Sequence, residues 1–136
     1  GPPILIGGLS PAAVRRVGRW GDGYFGTGAD PATARQFYDI ADTAWREAGR
    51  PGRPRFVMGL YWALGPDAAE RGSAYIRDYY AFLGPMADMI AGSILTTPEA
   101  IKGAIQAYGD VDVDELALWP TIADVDQVDL LAEVVD

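Results

Sequence analysis

The chain reads as an α/β domain, a parallel sheet covered by helices. Three observations predict this. Short apolar runs alternate with helical periods four times along the 136 residues. The same helix-start device, a capping side chain followed by proline, occurs at Ser10-Pro11, Asp30-Pro31 and Thr97-Pro98. The helix after Asp30 has a broad apolar face, and a continuous run of aromatic and branched residues follows it. Strict strand–helix alternation means parallel strands joined by crossover helices. Four such units make either a small doubly wound sheet or half of an eight-stranded barrel. Periodicity alone leaves both open.

The first unit starts with Ile4-Leu5-Ile6, a continuous apolar run expected to be buried on both faces. Gly7-Gly8 turns the chain without a Cβ in the way. Ser10-Pro11 starts a helix with Val14 and Val17 on its apolar side and Gly18 and Gly21 near its end. Asp22-Gly23 is a turn, and Tyr24-Phe25 begins a second strand with Gly26, Thr27 and Gly28 at its C-terminal end. The helix from Asp30-Pro31 carries Ala34, Phe37, Tyr38, Ala41, Ala44, Trp45 and Ala48 on one face and stops at Gly49.

Phe56 to Leu64 is the third strand, and Gly65-Pro66-Asp67 opens a helix with Ile76, Tyr79, Tyr80 and Leu83. Gly84-Pro85 interrupts it, Met86 to Ile90 forms a short extra helix, and Gly92 to Thr96 is a connection without assignment. Thr97-Pro98-Glu99 starts a helix with Ile101, Ala104, Ile105 and Tyr108 on its apolar face. Glu115 to Pro120 is the fourth strand, and Val125, Val128, Leu131, Ala132 and Val135 are expected to form the buried face of the last helix.

Composition narrows the function. Hydrophobic residues make up 49%, so a core forms, and residues 1–136 read as a single domain. No apolar run is long enough to span a membrane. A net charge of -8 argues against nucleic acid as a partner. There is no cysteine and no histidine, which removes disulfides, thiolate metal sites and the commonest general base. No targeting leader is visible, so a cytoplasmic location is the default expectation.

The candidate site is the turn Gly7-Gly8-Leu9-Ser10. Beyond a parallel strand, glycine backbone N–H groups and a helix start suit an anion such as a phosphate. A tight strand-to-helix turn with no ligand is the commoner use of such residues, and both readings stand. Arg15 and Arg16 are phosphate partners or solvated helix charges. Asp22 is a turn former before it is a catalytic acid. Tyr61 and Trp62 are adjacent on a strand and so face opposite sides, one toward the helices. Tyr75, Tyr79 and Tyr80 pack their helix, and Trp119 ends the fourth strand, where it can line a pocket. Asp110, Asp112, Asp114 and Glu115 lack the glycine-centred spacing of a calcium loop and read as a solvated acidic turn, with no metal expected.

Three stretches together carry a resemblance. Ile4 to Arg16 running into Gly18-Arg19-Trp20-Gly21-Asp22-Gly23-Tyr24-Phe25 resembles the middle of the bacterial luciferase-like flavin- and deazaflavin-dependent oxidoreductases and monooxygenases. Thr97 to Ile101, with Tyr108 and Val113 to Leu118, resembles that family's last helix and last barrel strand, and Gln127 to Val135 its terminal helix.

The resemblance implies strands five to eight of a TIM (β/α)8 barrel: a (βα)4 half-barrel with helices outside, which dimerisation would complete. It implies FMN or a deazaflavin, coenzyme F420, without resolving which, and a small-molecule substrate in the intact enzyme. Gly7, Gly8 and Ser10 become cofactor-phosphate residues, with Gly26 and Thr27 supporting the phosphate or the ring system. Catalytic residues stay unassigned, since much of the family's catalytic set belongs to the other half, and this chain alone is expected to be incomplete as an enzyme. The alternative is an inert half-barrel that serves folding or assembly.

Overall fold

A computed structural model describes residues 1–136. Its strands are β1 (Leu5–Gly7), β2 (Gly23–Thr27), β3 (Arg55–Trp62) and β4 (Glu115–Pro120), in one sheet of order β1-β2-β3-β4. β1, β2 and β3 pair in parallel. The helices are α1 (Pro11–Val14), α2 (Arg16–Trp20), α3 (Pro31–Glu47), α4 (Ala68–Tyr79), α5 (Pro85–Gly92), α6 (Pro98–Gly109) and α7 (Asp126–Val135). The parallel α/β class is therefore as the alternation predicts. Contacts divide the chain into two compact units: Gly1–Gly59 with Ala107–Ala117, and Leu60–Gln106 with Leu118–Asp136.

In the first unit the expected caps form. Ser10 Oγ accepts from Ala13 N at 3.3 Å, and Asp30 Oδ1 accepts from Thr33 N at 2.9 Å. The first helix is not continuous. It breaks at Arg15, where Gly18 N donates to the carbonyl three residues back, a 3₁₀-like tightening. Gly18 then lies against α3, because a Cβ there would be 2.3 Å from the Ala44 carbonyl oxygen. α3 buries Ala34, Tyr38, Ala41, Ala44 and Trp45, whereas Ala48 is exposed past the last turn. Tyr38 stacks on Phe56 with ring centroids 4.4 Å apart, and its hydroxyl donates to Pro54 O at 2.9 Å.

β1 departs from expectation. Leu5 and Ile6 are half-buried and Ile4 is 54% exposed. β1 lies at the end of the strand order, with β2 as its neighbour, so it lacks the double cover that a continuous apolar run suggests. Asp22 ties the N-terminal ends of three strands: its carboxylate accepts from Ile4 N at 2.8 Å, its N–H donates to Ile4 O at 2.6 Å, and its carbonyl accepts from Arg55 N at 3.1 Å.

The acidic turn is not simply solvated. Asp112 pairs with Arg35, Asp114 with Arg53 and Glu115 with Arg55. Its charges face arginines of α3, of the segment leading into β3 and of the start of β3, a long-range pairing that local spacing does not reveal.

In the second unit the two sides of β3 build two clusters. Trp62 and Leu64 pack with Ile101 of α6 and Val134 of α7. Ala63 packs with Ala68, Ile76, Ala91, Ile94 and Ile122, with Tyr61 and Tyr80 at the margin. The unassigned connection holds a single bridge position, Leu95, hydrogen-bonded to Tyr61 O and Ala63 N on either side of Trp62.

α7 turns only part of the expected face inward: Leu131 packs against the Trp62 cluster, but the expected valines do not. It buries Gln127 and Val134, while Val125, Val128 and Val135 are exposed. Gln127 sets this phase: Nε2 donates to Leu64 O at 2.8 Å and Oε1 accepts from Leu64 N at 2.9 Å. Tyr75 and Tyr79 likewise stand out from α4 rather than packing it, at 48% and 59% exposure.

Candidate functional site

The first unit brings the turn after β1 beside the end of β2. Register pairs Gly7 with Phe25, and Thr27 lies two residues further along β2. Partners across a ladder point to the same side, so Gly7, Phe25 and Thr27 share a face. Tyr24 and Gly26 occupy the other face, toward α3. Gly26 is buried there, and a Cβ on it would be 2.6 Å from Met58 Sδ and 2.9 Å from the Tyr24 hydroxyl.

Gly8 adopts φ +145°, a conformation that side chains rarely take, and a Cβ on it would be 2.5 Å from the Ala13 Cβ. The turn itself is open: Gly7, Leu9 and Ser10 are exposed. It is held from below by Tyr24, whose hydroxyl donates to Gly8 O at 3.3 Å. Burial pushes the Tyr24 phenol above its ordinary value, so it stays protonated and remains a donor. Sequence reasoning missed this strut. The two residues are sixteen apart, and no local pattern links them.

Nothing in the turn's own charge opposes an anion. Residues 7–16 contain no acidic side chain, in a chain of net charge -8. Ser10 Oγ accepts from Ala13 N, and its own O–H hydrogen is available to donate. α1 is a single turn long, so the helix dipole expected at this point is small. Backbone N–H groups and the hydroxyl are the stronger features. Arg15 is engaged away from the turn. It pairs with Glu47 at 2.7 Å, an exposed bridge to the end of α3.

In the second unit, Tyr61 and Trp119 lie on the side of β3 and β4 away from Trp62. Their ring centroids are 5.5 Å apart, and the Tyr61 and Tyr80 hydroxyls are 2.6 Å apart. Trp62 is the buried member of the adjacent pair, as strand alternation requires. No group of three His, Cys, Asp or Glu side chains is placed to hold a metal ion. No helix is long and apolar enough to cross a membrane.

A parallel strand–helix repeat with an open glycine turn beyond its first strand belongs to the class of α/β proteins that gather their sites at the C-terminal ends of parallel strands. The sequence pattern described as luciferase-like monooxygenase matches residues 1–136, and the chain belongs to that family.

Solved structures agree on the fold. An F420-dependent secondary alcohol dehydrogenase in complex with an F420-acetone adduct superposes with a TM-score of 0.78 at 19% identity, over 99% of this chain and 48% of that one. EDTA monooxygenase from Chelativorans sp. BNC1 gives 0.71 at 15% identity, over 98% and 43%. The coenzyme F420-dependent tetrahydromethanopterin reductase from Methanopyrus kandleri gives 0.66 at 12% identity, over 98% and 48%. The chain thus spans about half the length of these structures. A search of curated protein sequences gave no match.

Proposed function

We propose that residues 1–136 form the cofactor-phosphate half of a luciferase-like oxidoreductase or monooxygenase that uses FMN or the deazaflavin F420. The carrying observation is the turn after β1: open, free of acidic side chains, with Gly8 in a backbone conformation that side chains rarely take, and braced by Tyr24. In this reading the N–H groups around Gly7 and Gly8 and the Ser10 hydroxyl hold the phosphate. Thr27, on the face shared with Gly7, adds a hydroxyl, and Gly26 acts through its backbone while its missing side chain makes room for Met58 and Tyr24. A bound flavin or deazaflavin would supply hydride transfer or oxygen activation. The residues of this chain supply binding and orientation. The F420 dependence of the secondary alcohol dehydrogenase and of the tetrahydromethanopterin reductase supports a cofactor of this kind, and the substrate is a small organic molecule.

The chain has no histidine, the commonest general base, and in this reading much of the catalytic set belongs to the other half of the barrel. β1 and β4 end the strand order, and such edges favour pairing. A second copy, or the other half of a longer protein, would cover them. Titration of the purified chain with FMN and with F420, followed by cofactor fluorescence, tests the reading. Saturable binding of either supports it. Absence of binding favours the second reading, a half-barrel that serves folding or assembly.

A further inference from the structure

Trp119, Tyr61, Tyr80, Tyr79 and Tyr75 form an unbroken run of aromatic contacts in the second unit. Successive ring centroids are 5.5, 6.2, 4.8 and 6.1 Å apart. The run begins on the sheet, at Trp119 of β4 and the half-buried Tyr61 of β3. It ends on α4 in the stacked pair Tyr79 and Tyr75, which are 59% and 48% exposed. Aromatic rings ordinarily stabilise a fold by the area they bury. These two stacked tyrosines keep about half of their surface in water, so packing accounts for only part of the outer half of the run. In a chain without cysteine, tryptophan and tyrosine are the side chains that most readily lose one electron.

We propose that this run is a redox relay that carries an oxidising equivalent from Trp119 to the exposed tyrosines of α4. A one-electron oxidant, such as an oxygen-centred radical, takes an electron from Trp119, and the indole N–H proton leaves to solvent. The neutral indolyl radical then regains one electron from Tyr61 and one proton from solvent. Tyr61 releases its phenolic proton to solvent and becomes a neutral tyrosyl radical. Tyr80 reduces Tyr61 in turn: the electron passes between the rings, and the proton passes along the 2.6 Å O···O contact. Tyr79 and Tyr75 follow by ring contact, exchanging protons with water. A soluble thiol restores the last tyrosine with one electron and one proton.

The hydroxyl pair is what makes the middle step work. Burial, and then the Tyr80 hydroxyl, push the Tyr61 phenol well above its ordinary value. Tyr61 is therefore neutral before oxidation, and its radical recovers a proton and an electron together. Tyr80 stands where it can give both. The relay needs no bound cofactor, so it stands or falls apart from the phosphate site.

Pulse radiolysis of the intact chain with azide radical, which oxidises tryptophan, tests the relay. Indolyl decay should show a first-order phase matched by tyrosyl growth and independent of protein concentration. Trp119→Phe and Tyr61→Phe should each lose that phase, with Trp20, Trp45 and Trp62 still forming indolyl radical. Spin-trap adducts mapped by mass spectrometry should fall on Tyr75 and Tyr79 in the parent and retreat to Tyr61 in Tyr80→Phe. In heavy water the phase should slow. A phase unchanged in Tyr61→Phe, adducts on Tyr75 and Tyr79 unchanged in Trp119→Phe, or no slowing of the parent in heavy water would overturn the relay.

Discussion

The carboxamide of Gln127 makes two hydrogen bonds to the backbone of Leu64, at 2.8 and 2.9 Å, and both residues are buried. It does for the end of β3 what a neighbouring strand would do. Leaving a buried donor and acceptor unpaired costs about 1–3 kcal/mol each. Gln127→Leu, which keeps the volume and removes both partners, should therefore lower the urea midpoint of unfolding. A midpoint equal to the parent's would show that water replaces the amide without loss.

Two glycines are expected to respond in opposite directions. At Gly18 a Cβ meets the Ala44 carbonyl, a backbone atom that cannot step aside. Gly18→Ala should destabilise by about 1–3 kcal/mol, the usual cost of overpacking. At Gly103, within α6, nothing lies within 4 Å of the added Cβ. Gly103→Ala should stabilise by about 0.5–1 kcal/mol through helix propensity. Thermal unfolding of both variants checks the pair.

Asp114 makes stability depend on acid. Burial alone would raise its carboxyl, but the Arg53 guanidinium and the N–H of Phe56 at 2.8 Å outweigh that and hold it below the usual carboxylate value. A carboxyl whose folded value lies below its unfolded value, about 4, contributes fully above that unfolded value. The contribution is lost as pH falls through the folded value. The stability difference between the parent and Asp114→Asn should be constant near neutrality and shrink as pH drops below about 4. Chemical unfolding across the acid limb measures it, and a difference flat to low pH would count against the pairing.

Ser10→Ala separates two roles of one hydroxyl. Loss of the cap at a single exposed turn should cost about 0.5–1 kcal/mol of stability at most. Loss of a phosphate hydrogen bond should weaken FMN or F420 binding about five- to tenfold, equal to ~1–1.4 kcal/mol. Gly8→Ala should weaken it further, because φ +145° and the 2.5 Å approach to Ala13 force the turn to rebuild. Equal affinity in all three proteins would remove the phosphate from this turn.

Oligomerisation is the remaining expectation. With β1 and β4 at the ends of the strand order, light scattering at micromolar concentration should give a dimer or larger species. A clean monomer would mean that the edges are protected within one chain.

The amino-acid sequence by itself determined the elements and their order. Caps, prolines and periods are local, and they placed β4 at Glu115–Pro120 and the starts of α1, α3 and α6 correctly. The residues Gly7, Gly8 and Ser10 were legible as a turn for the same reason. The tertiary structure alone decided which face each element buries and which distant groups meet. Ile4 reads as core and is exposed because β1 ends the strand order. Val125, Val128 and Val135 read as the inner face of the last helix and lie outside, because Gln127 binds Leu64 sixty-three residues away. The Tyr24 strut beneath Gly8 and the Tyr61–Tyr80 hydroxyl pair are likewise contacts across the chain. Hydrogen bonding and capping act over a few residues and leave a local signature. Burial and long-range pairing depend on what the folded chain brings alongside, and no local pattern records that.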